Sequence, residues 1–296
     1  MPLLRIERRA PSFAFVALTY ALACAAAWRV FQQGGVSPLV ALALGFAAAT
    51  GVTFVATLLT DNGSVFDAWW SVLPPVAALF FQSLGAAESV TPRQVAVLAV
   101  VGFWAVRLTA NWARGWRGLA HEDWRYADLY ARAPLPRWAV QGLAVQGFPT
   151  LMVTLGCLAL YPALALGDAA MRSLDWIALG VGLAAVALEL AADEQMHAFA
   201  LTKQPGELMD RGLWRSARHP NYLGEIGFWL SLWLFAWSAR PDYWWTVIGP
   251  VAMAAMFVLA SIPLLDERSR ARRPGYAEYE KRTPALIPWR PRSRRR

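Results

Sequence analysis

The segment from Gly212 to Glu225 holds the densest set of side chains that could do chemistry, and it lies between two long apolar stretches. These side chains are Arg215, Arg218, His219, Asn221, Tyr222 and Glu225. Pro220 suits a first helical turn, so a helix is predicted to begin here at a membrane boundary. A helix N-terminus beside two cations can bind an anion such as a phosphate. The alternative is a basic loop that only orients the chain in a membrane.

A second polar group ends an apolar stretch further upstream. Glu189, Asp193 and His197 are spaced by four residues, so they share one face of a helix. Such a stripe either marks the point where a helix leaves the membrane or faces inward. Facing inward, it could hydrogen-bond the ribose or amide of a nucleotide.

Asp67 is a carboxylate near the start of another apolar stretch. It follows an Asn62-Gly63 turn and Ser64, a good N-cap, which places Asp67 where it could serve the helix cap. Carboxylates within a membrane are costly and usually functional. Asp67 could therefore line a cavity instead, and both interpretations stay open.

A third polar group surrounds the end of the apolar stretch that carries Arg107 and Asn111, which share a helix face. An arginine within a membrane span must pair or extend to the surface. Beyond it follow Glu122, Asp123, Arg125 and Tyr126. These form either the wall of a polar cavity or a set of surface ion pairs.

The composition indicates a membrane protein. Hydrophobic residues make up 57% of the 296 residues and charged residues 16%, against about a quarter charged in soluble domains. Stretches near the 20 residues that span a bilayer lie at about 12–31, 38–60, 65–84, 94–112, 138–161, 173–200, 222–238 and 243–264. We therefore expect an all-α, polytopic bundle of about eight transmembrane helices (seven or eight), forming a single domain over 1–296.

The charge distribution predicts the orientation. With eight spans, most basic residues of this chain of net charge +8 fall on the side that holds both termini. This side is expected to be cytoplasmic, and membrane lipids are expected partners. The basic tail 290–296 is predicted to be disordered. No metal site is expected, because the three histidines and two cysteines show no ligand spacing. No nucleic-acid partner is expected either, because no basic face with interleaved aromatic residues lies on a soluble domain.

Taken in order, these motifs resemble the steroid 5-alpha-reductase family, most closely its uncharacterised bacterial branch. The likeness covers roughly 60–290 and rests on 212–225, on Asp193 with Gln195, on 117–126 and on 272–289. It implies a helical membrane reductase, in a bacterial inner membrane, that uses NADPH. Such enzymes reduce a carbon–carbon double bond conjugated to a carbonyl, here in a lipid-like substrate that is steroid-like or isoprenoid.

The resemblance also implies site residues. The family's cofactor positions correspond to Asp193, Arg218, His219, Asn221, Tyr222 and Glu225 and, more loosely, to Arg268 and Arg272. The catalytic Gln-Glu pair of the steroid enzymes is absent from this chain. Asp67 is the nearest carboxylate and Tyr126 the nearest tyrosine, so these two are the expected catalytic acids.

Two other functions remain open at this point. Membrane methyltransferases of the isoprenylcysteine and phospholipid type, which bind S-adenosylmethionine, also carry Arg-His-Pro-x-Tyr-x-Gly, here 218–224. Glu225 directly after this motif and the 117–126 cluster favour the reductase. A structural or lipid-binding protein is the third possibility, and it leaves the three polar groups unexplained. The substrate and the oligomeric state stay open.

Overall fold

The computed structural model describes residues 3–85, 89–166 and 170–288. Within these ranges the regular secondary structure is helical, with no β-strand. Seven helical segments of this described part are long and apolar enough to cross a membrane. The predicted all-α, polytopic bundle is thus confirmed.

The helices occur close to the predicted spans. They are α1 (Arg9–Phe31), α2 (Pro38–Thr60), α3 (Trp69–Ser83), α4 (Pro92–Gly115), α5 (Trp124–Arg132), α6 (Arg137–Leu164), α7 (Ser173–Thr202), α8 (Pro220–Ala239), α9 (Pro241–Arg272) and α10 (Tyr276–Arg282). A 3-10 turn, Gly63–Phe66, leads into α3. Helix α8 was expected to be an eighth span. It is not among the seven because its polar residues lower its mean hydropathy. It nevertheless runs the length of the bundle beside α7.

The polar segments between helices gather at one end of the bundle. Arg9 at the start of α1 donates to the carbonyl of Ala113 at 2.8 Å, and Arg132 of α5 pairs with Glu267 of α9 at 3.6 Å. The two terminal regions therefore meet at the same end. That this end faces the cytoplasm stays a prediction, and the tail 290–296 lies outside the described residues.

A buried ion pair holds α4 and α7 together at the opposite end. Arg93 donates two hydrogen bonds to Asp175, at 2.9 and 3.0 Å, and both side chains are almost wholly buried. Arg172 extends the same contact by donating to the carbonyl of Ser238 at the end of α8. These bonds fix the positions of the ends of α4, α7 and α8 relative to one another.

The core between these helices is aromatic. Phe228 of α8 stacks on Trp104 of α4 with 4.3 Å between ring centroids, and Trp229 meets Trp104 edge to face. All three rings are fully buried. Such pairs stabilise beyond the area that they bury and hold ring orientations fixed.

Helices α7 and α8 approach closely at Gly224. A Cβ atom on this residue would lie 2.3 Å from the Cγ of Glu189 and 2.8 Å from the carbonyl oxygen of Ala185. Only glycine permits this distance between the two backbones. The glycine next to Glu225 therefore brings that residue within reach of α7.

We expect Gly224→Ala to lower the midpoint of thermal unfolding of detergent-purified protein by several degrees, because overpacking costs about 1–3 kcal/mol. Gly180→Ala is the matched control on α7, since a Cβ there meets no atom within 4 Å. That control should hold or slightly raise the midpoint. Equal midpoints for the two variants would contradict the close approach.

Candidate functional site

An inner cavity of about 410 Å³ lies among α3, α4, α5, α6, α7, α8 and α9. Its charged lining residues are Asp67, Arg107, Arg125, Glu189, Asp193 and Glu225. Two π-helical turns, Gln141–Gly147 in α6 and Phe257–Ser261 in α9, contribute apolar side chains to its wall. Wide turns of this kind occur often at functional sites. The cavity thus joins a polar wall to an apolar one.

Arg107 of α4 stands at the centre of the polar wall. It donates to Asp193 at 3.0 Å, lies 3.5 Å from Glu225 and is in direct contact with Glu189. Asn111, one turn further along α4, also donates to Asp193 at 3.0 Å. The Arg107 side chain is 8% exposed and that of Glu189 2%. We call Arg107, Glu189, Asp193 and Glu225 the carboxylate cluster.

Glu225 is further held by three indole groups. Trp104 donates to its Oε2 at 3.0 Å, while Trp229 and Trp70 donate to Oε1 at 2.9 and 3.3 Å. These donors come from α4, α8 and α3. The position of Glu225 is therefore fixed by three helices, and its donors suit an ionised carboxylate.

Two buried polar atoms of the carboxylate cluster have no hydrogen-bond partner within the described residues. They are Nε of Arg107 and Oε1 of Glu189. Buried polar groups are normally paired, so such atoms call for an explanation. Both residues line the inner cavity, which indicates that a ligand there could complete the pairing.

Asp67 and Tyr126 form a second polar contact in the inner cavity. The Tyr126 hydroxyl donates to Asp67 Oδ1 at 2.7 Å. The capping interpretation of Asp67 is wrong, because the side chain of Asn62 accepts the N–H of Ser64 and so caps the turn. Asp67 lines the cavity instead.

The ionisation of Tyr126 follows from its surroundings. Burial, and then the charge of the Asp67 carboxyl, raise the pKa of Tyr126 well above its usual range. Arg125 acts in the opposite direction, but it is paired with Asp123 at 2.9 Å. Tyr126 therefore keeps its proton at neutral pH and can act as a hydrogen-bond donor.

An outer pocket of about 280 Å³ adjoins the inner cavity at the end of the bundle where the polar segments gather. Its basic residues are Arg218, His219, Arg268, Arg272 and Arg273, and no Asp or Glu of the described residues lines it. The guanidinium of Arg268 lies 3.6 Å from the ring centroid of Trp124. The pocket is thus basic and partly aromatic.

Arg218 and His219, which the sequence predicts to bind an anion, also have partners within the fold. Both bind Asp266 of α9, Arg218 at 2.8 Å and His219 at 2.9 Å, and Tyr276 donates to the same carboxylate. Arg218 also donates to the carbonyl of Thr283. They line the outer pocket, but their charge is largely used within the fold.

Arg268 and Arg272 are better placed for binding an anion than their loose sequence match suggested. Both line the outer pocket, and neither pairs with a carboxylate within the described residues. On the same helix, by contrast, Arg270 pairs with Glu280 at 3.3 Å. The unpaired arginines of α9 are therefore the stronger candidates for holding phosphate groups.

Asn221 and Tyr222 line both the inner cavity and the outer pocket. They lie in the first turn of α8, which begins at Pro220 as predicted. Tyr222 stacks on Phe257 of α9, with 4.4 Å between ring centroids. The first turn of α8 is therefore the point where the two spaces meet.

The structure brings the predicted site residues into these two adjoining spaces. Asp67, Tyr126, Asp193 and Glu225 line the inner cavity, whereas Arg218, His219, Arg268 and Arg272 line the outer pocket. His197, the third member of the predicted stripe, lines neither. The sequence interpretation singled out Arg107 and Glu189 as charges in or at the end of apolar stretches, but it did not predict that they pair with each other.

Comparison with known proteins places the chain in a family. It is 28% identical over 255 residues to an uncharacterized protein of Schizosaccharomyces pombe, covering 77% of this chain and 73% of that one. No solved structure matches the chain. The model of the family described as protein of unknown function DUF1295 matches residues 53–283. The chain belongs to the DUF1295 family, and the match includes every residue of the two spaces described above.

Proposed function

We propose that the protein is a membrane-embedded, NADPH-dependent reductase of a carbon–carbon double bond conjugated to a carbonyl in a lipid-like substrate. The observation that carries this proposal is the joining of a basic outer pocket to an inner cavity that contains a tyrosine–carboxyl pair. The motifs that resemble the steroid 5-alpha-reductase family support the same chemistry. The substrate itself is proposed only as a class.

The residues present fit NADPH. Arg268 and Arg272 would hold phosphate groups, for which unpaired guanidiniums are well suited. Asn221 and Tyr222 line both spaces, so one elongated ligand could pass them on its way inward. The unpartnered Oε1 of Glu189 could accept from the carboxamide of such a ligand.

The inner cavity suits an apolar substrate with one polar end. Its wall includes Phe66, Leu108, Leu129, Phe148, Met256 and Phe257. Phe148 is itself 44% exposed on the surface of α6, next to the π-helical turn. A lipid-like molecule could therefore reach the cavity from the bilayer, with its carbonyl toward Asp67 and Tyr126.

When bound, NADPH supplies the hydride that adds to the β carbon of the double bond. Negative charge would then develop on the carbonyl oxygen, to which Tyr126 would donate a hydrogen bond, and a proton from water would add to the α carbon to complete the reduction. The Tyr126 hydroxyl has one proton, which it donates to Asp67 at 2.7 Å, so it cannot donate to the carbonyl oxygen at the same time. A protonated Asp67 would donate to the Tyr126 oxygen instead, and the phenol proton could then bind the carbonyl oxygen. Asp67 therefore positions Tyr126 and keeps it protonated.

Parallel thermal-shift measurements with NADPH, NADH and S-adenosylmethionine on detergent-purified protein test the proposal. A ligand that binds only the folded state raises the apparent stability by mass action. We expect NADPH to give the largest rise. A rise with S-adenosylmethionine alone would replace the reductase by a methyltransferase, and no rise with any of them would remove both.

We expect Arg272→Ala to weaken NADPH about tenfold while changing the affinity for NADH by no more than about twofold. A charged hydrogen bond to the 2′-phosphate, which only NADPH carries, contributes on this scale. Titration calorimetry with both cofactors measures the difference. Arg270→Ala is the matched control, because Arg270 pairs with Glu280 and does not line the outer pocket.

Equal losses of NADPH and NADH affinity in Arg272→Ala would place that residue away from the 2′-phosphate.

Arg218→Ala is expected to behave differently from Arg272→Ala. It leaves the buried Asp266 short of a partner, so its main effect should be a lower thermal midpoint rather than selective loss of NADPH.

We expect Tyr126→Phe to lower kcat at least about 100-fold, the lower range for loss of a positioned acid. NADPH consumption would be followed with a 4-en-3-one steroid and an isoprenoid enal as probe substrates. The affinity for NADPH should not change. Tyr130→Phe on the same helix is the control, since its hydroxyl binds Glu122 outside the inner cavity. Unchanged kcat in Tyr126→Phe would exclude this residue as the donor.

A further inference from the structure

The inner cavity carries more negative than positive charge. Among its lining residues are four carboxyl groups, those of Asp67, Glu189, Asp193 and Glu225. Against them stand two guanidiniums, of which Arg125 is already paired with Asp123. Among the described lining residues, Arg107 is therefore the one guanidinium set against Glu189, Asp193 and Glu225, so the carboxylate cluster has a formal charge of −2.

The carboxylates that carry this excess negative charge are largely buried. The side chains of Glu189, Asp193 and Glu225 are 2%, 10% and 8% exposed. The nearest further cation, Arg114, is at the surface and pairs with Glu194. Unbalanced charge is costly in such a site, and a cation brought beside it would be bound strongly.

Glu189 indicates where in the inner cavity a positively charged group would bind. Its Oε1 has no partner within the described residues, although its other oxygen contacts Arg107. The residue lines the inner cavity and is almost wholly buried. A buried, unpartnered acceptor on a residue that lines the cavity points to a ligand with a positively charged or donating group at this depth.

The outer pocket has the opposite charge, since its lining within the described part of the chain includes arginines and no carboxylate. The two spaces meet at Asn221 and Tyr222. Together they suit one elongated ligand with anionic groups at one end and a cationic group at the other. Oxidised nicotinamide adenine dinucleotide phosphate has this charge distribution, whereas the reduced form has a neutral ring.

We propose that the carboxylate cluster makes the protein bind the oxidised, cationic nicotinamide ring more tightly than the reduced, neutral one. This inference rests on the proposed function. The preference has a chemical consequence, because loss of a hydride leaves a positive charge on the ring. By thermodynamic linkage, tighter binding of the cationic form shifts the equilibrium on the protein toward reduction of the substrate.

The experiment measures the dissociation constants of NADP⁺ and NADPH for detergent-purified protein by titration calorimetry. We expect NADP⁺ to bind about tenfold more tightly, the scale of one charge acting over several ångströms in a partly buried site. The NAD⁺ and NADH pair should show the same ratio at lower affinity, since these cofactors share the ring and lack the 2′-phosphate.

Glu189→Gln removes one negative charge and keeps the shape of the side chain. It should weaken NADP⁺ about tenfold and leave NADPH nearly unchanged, so that the preference largely disappears. Glu194→Gln is the matched control, because Glu194 lies on the same helix but pairs with Arg114 at the surface. Arg272→Ala should weaken both redox states equally, which separates the outer pocket from the inner cavity.

The outcomes are distinguishable. NADPH binding as tightly as NADP⁺, or more tightly, in the wild-type protein would overturn the inference and leave the proposed reductase standing. An equal loss of preference in Glu189→Gln and Glu194→Gln would also overturn it. Absence of binding by every nicotinamide cofactor would remove the proposed function and the inference together. The wild-type ratio decides the question even where Glu189→Gln fails to fold.

Discussion

The contact of Arg107 with three carboxylates is the interaction on which this structure depends most. It joins α4 to Glu189 and Asp193 of α7 and to Glu225 of α8, and none of these side chains is more than 10% exposed. Without the guanidinium, three buried carboxylates would face one another, and breaking a buried pair typically costs several kcal/mol. One side chain therefore sets both the packing of three helices and the charge of the inner cavity.

The fold could largely be predicted from the sequence, whereas the pairing within the site could not. Apolar stretches near 20 residues long, bounded by Pro38, Pro92 and Pro220, predict helices because a span must satisfy its own backbone. Arg107 and Glu189 were visible as charges inside apolar stretches. Their partnership joins residues far apart in the chain, and helix periodicity says nothing about which helices become neighbours.

Arg218 and His219 show a different limit of sequence reasoning. Their position before a helix N-terminus predicts an anion site, and both line the basic outer pocket. Asp266, almost fifty residues later, binds both side chains, whereas Arg268 and Arg272 of α9 pair with no carboxylate within the described residues. A motif thus indicates which residues lie together. Which of their charges are left unpaired is known only once every partner within the fold has been identified.

The carboxylate cluster and the Asp67–Tyr126 pair share one cavity, and this sharing constrains the chemistry. The Tyr126 hydroxyl is a donor, whereas the carboxylate cluster is rich in acceptors and poor in donors. In the proposed reaction, a hydride donor that becomes cationic and a substrate oxygen that becomes anionic develop these two charges in the same step. A cavity with acceptors for one and a donor for the other stabilises that charge separation, which a uniformly apolar cavity would oppose.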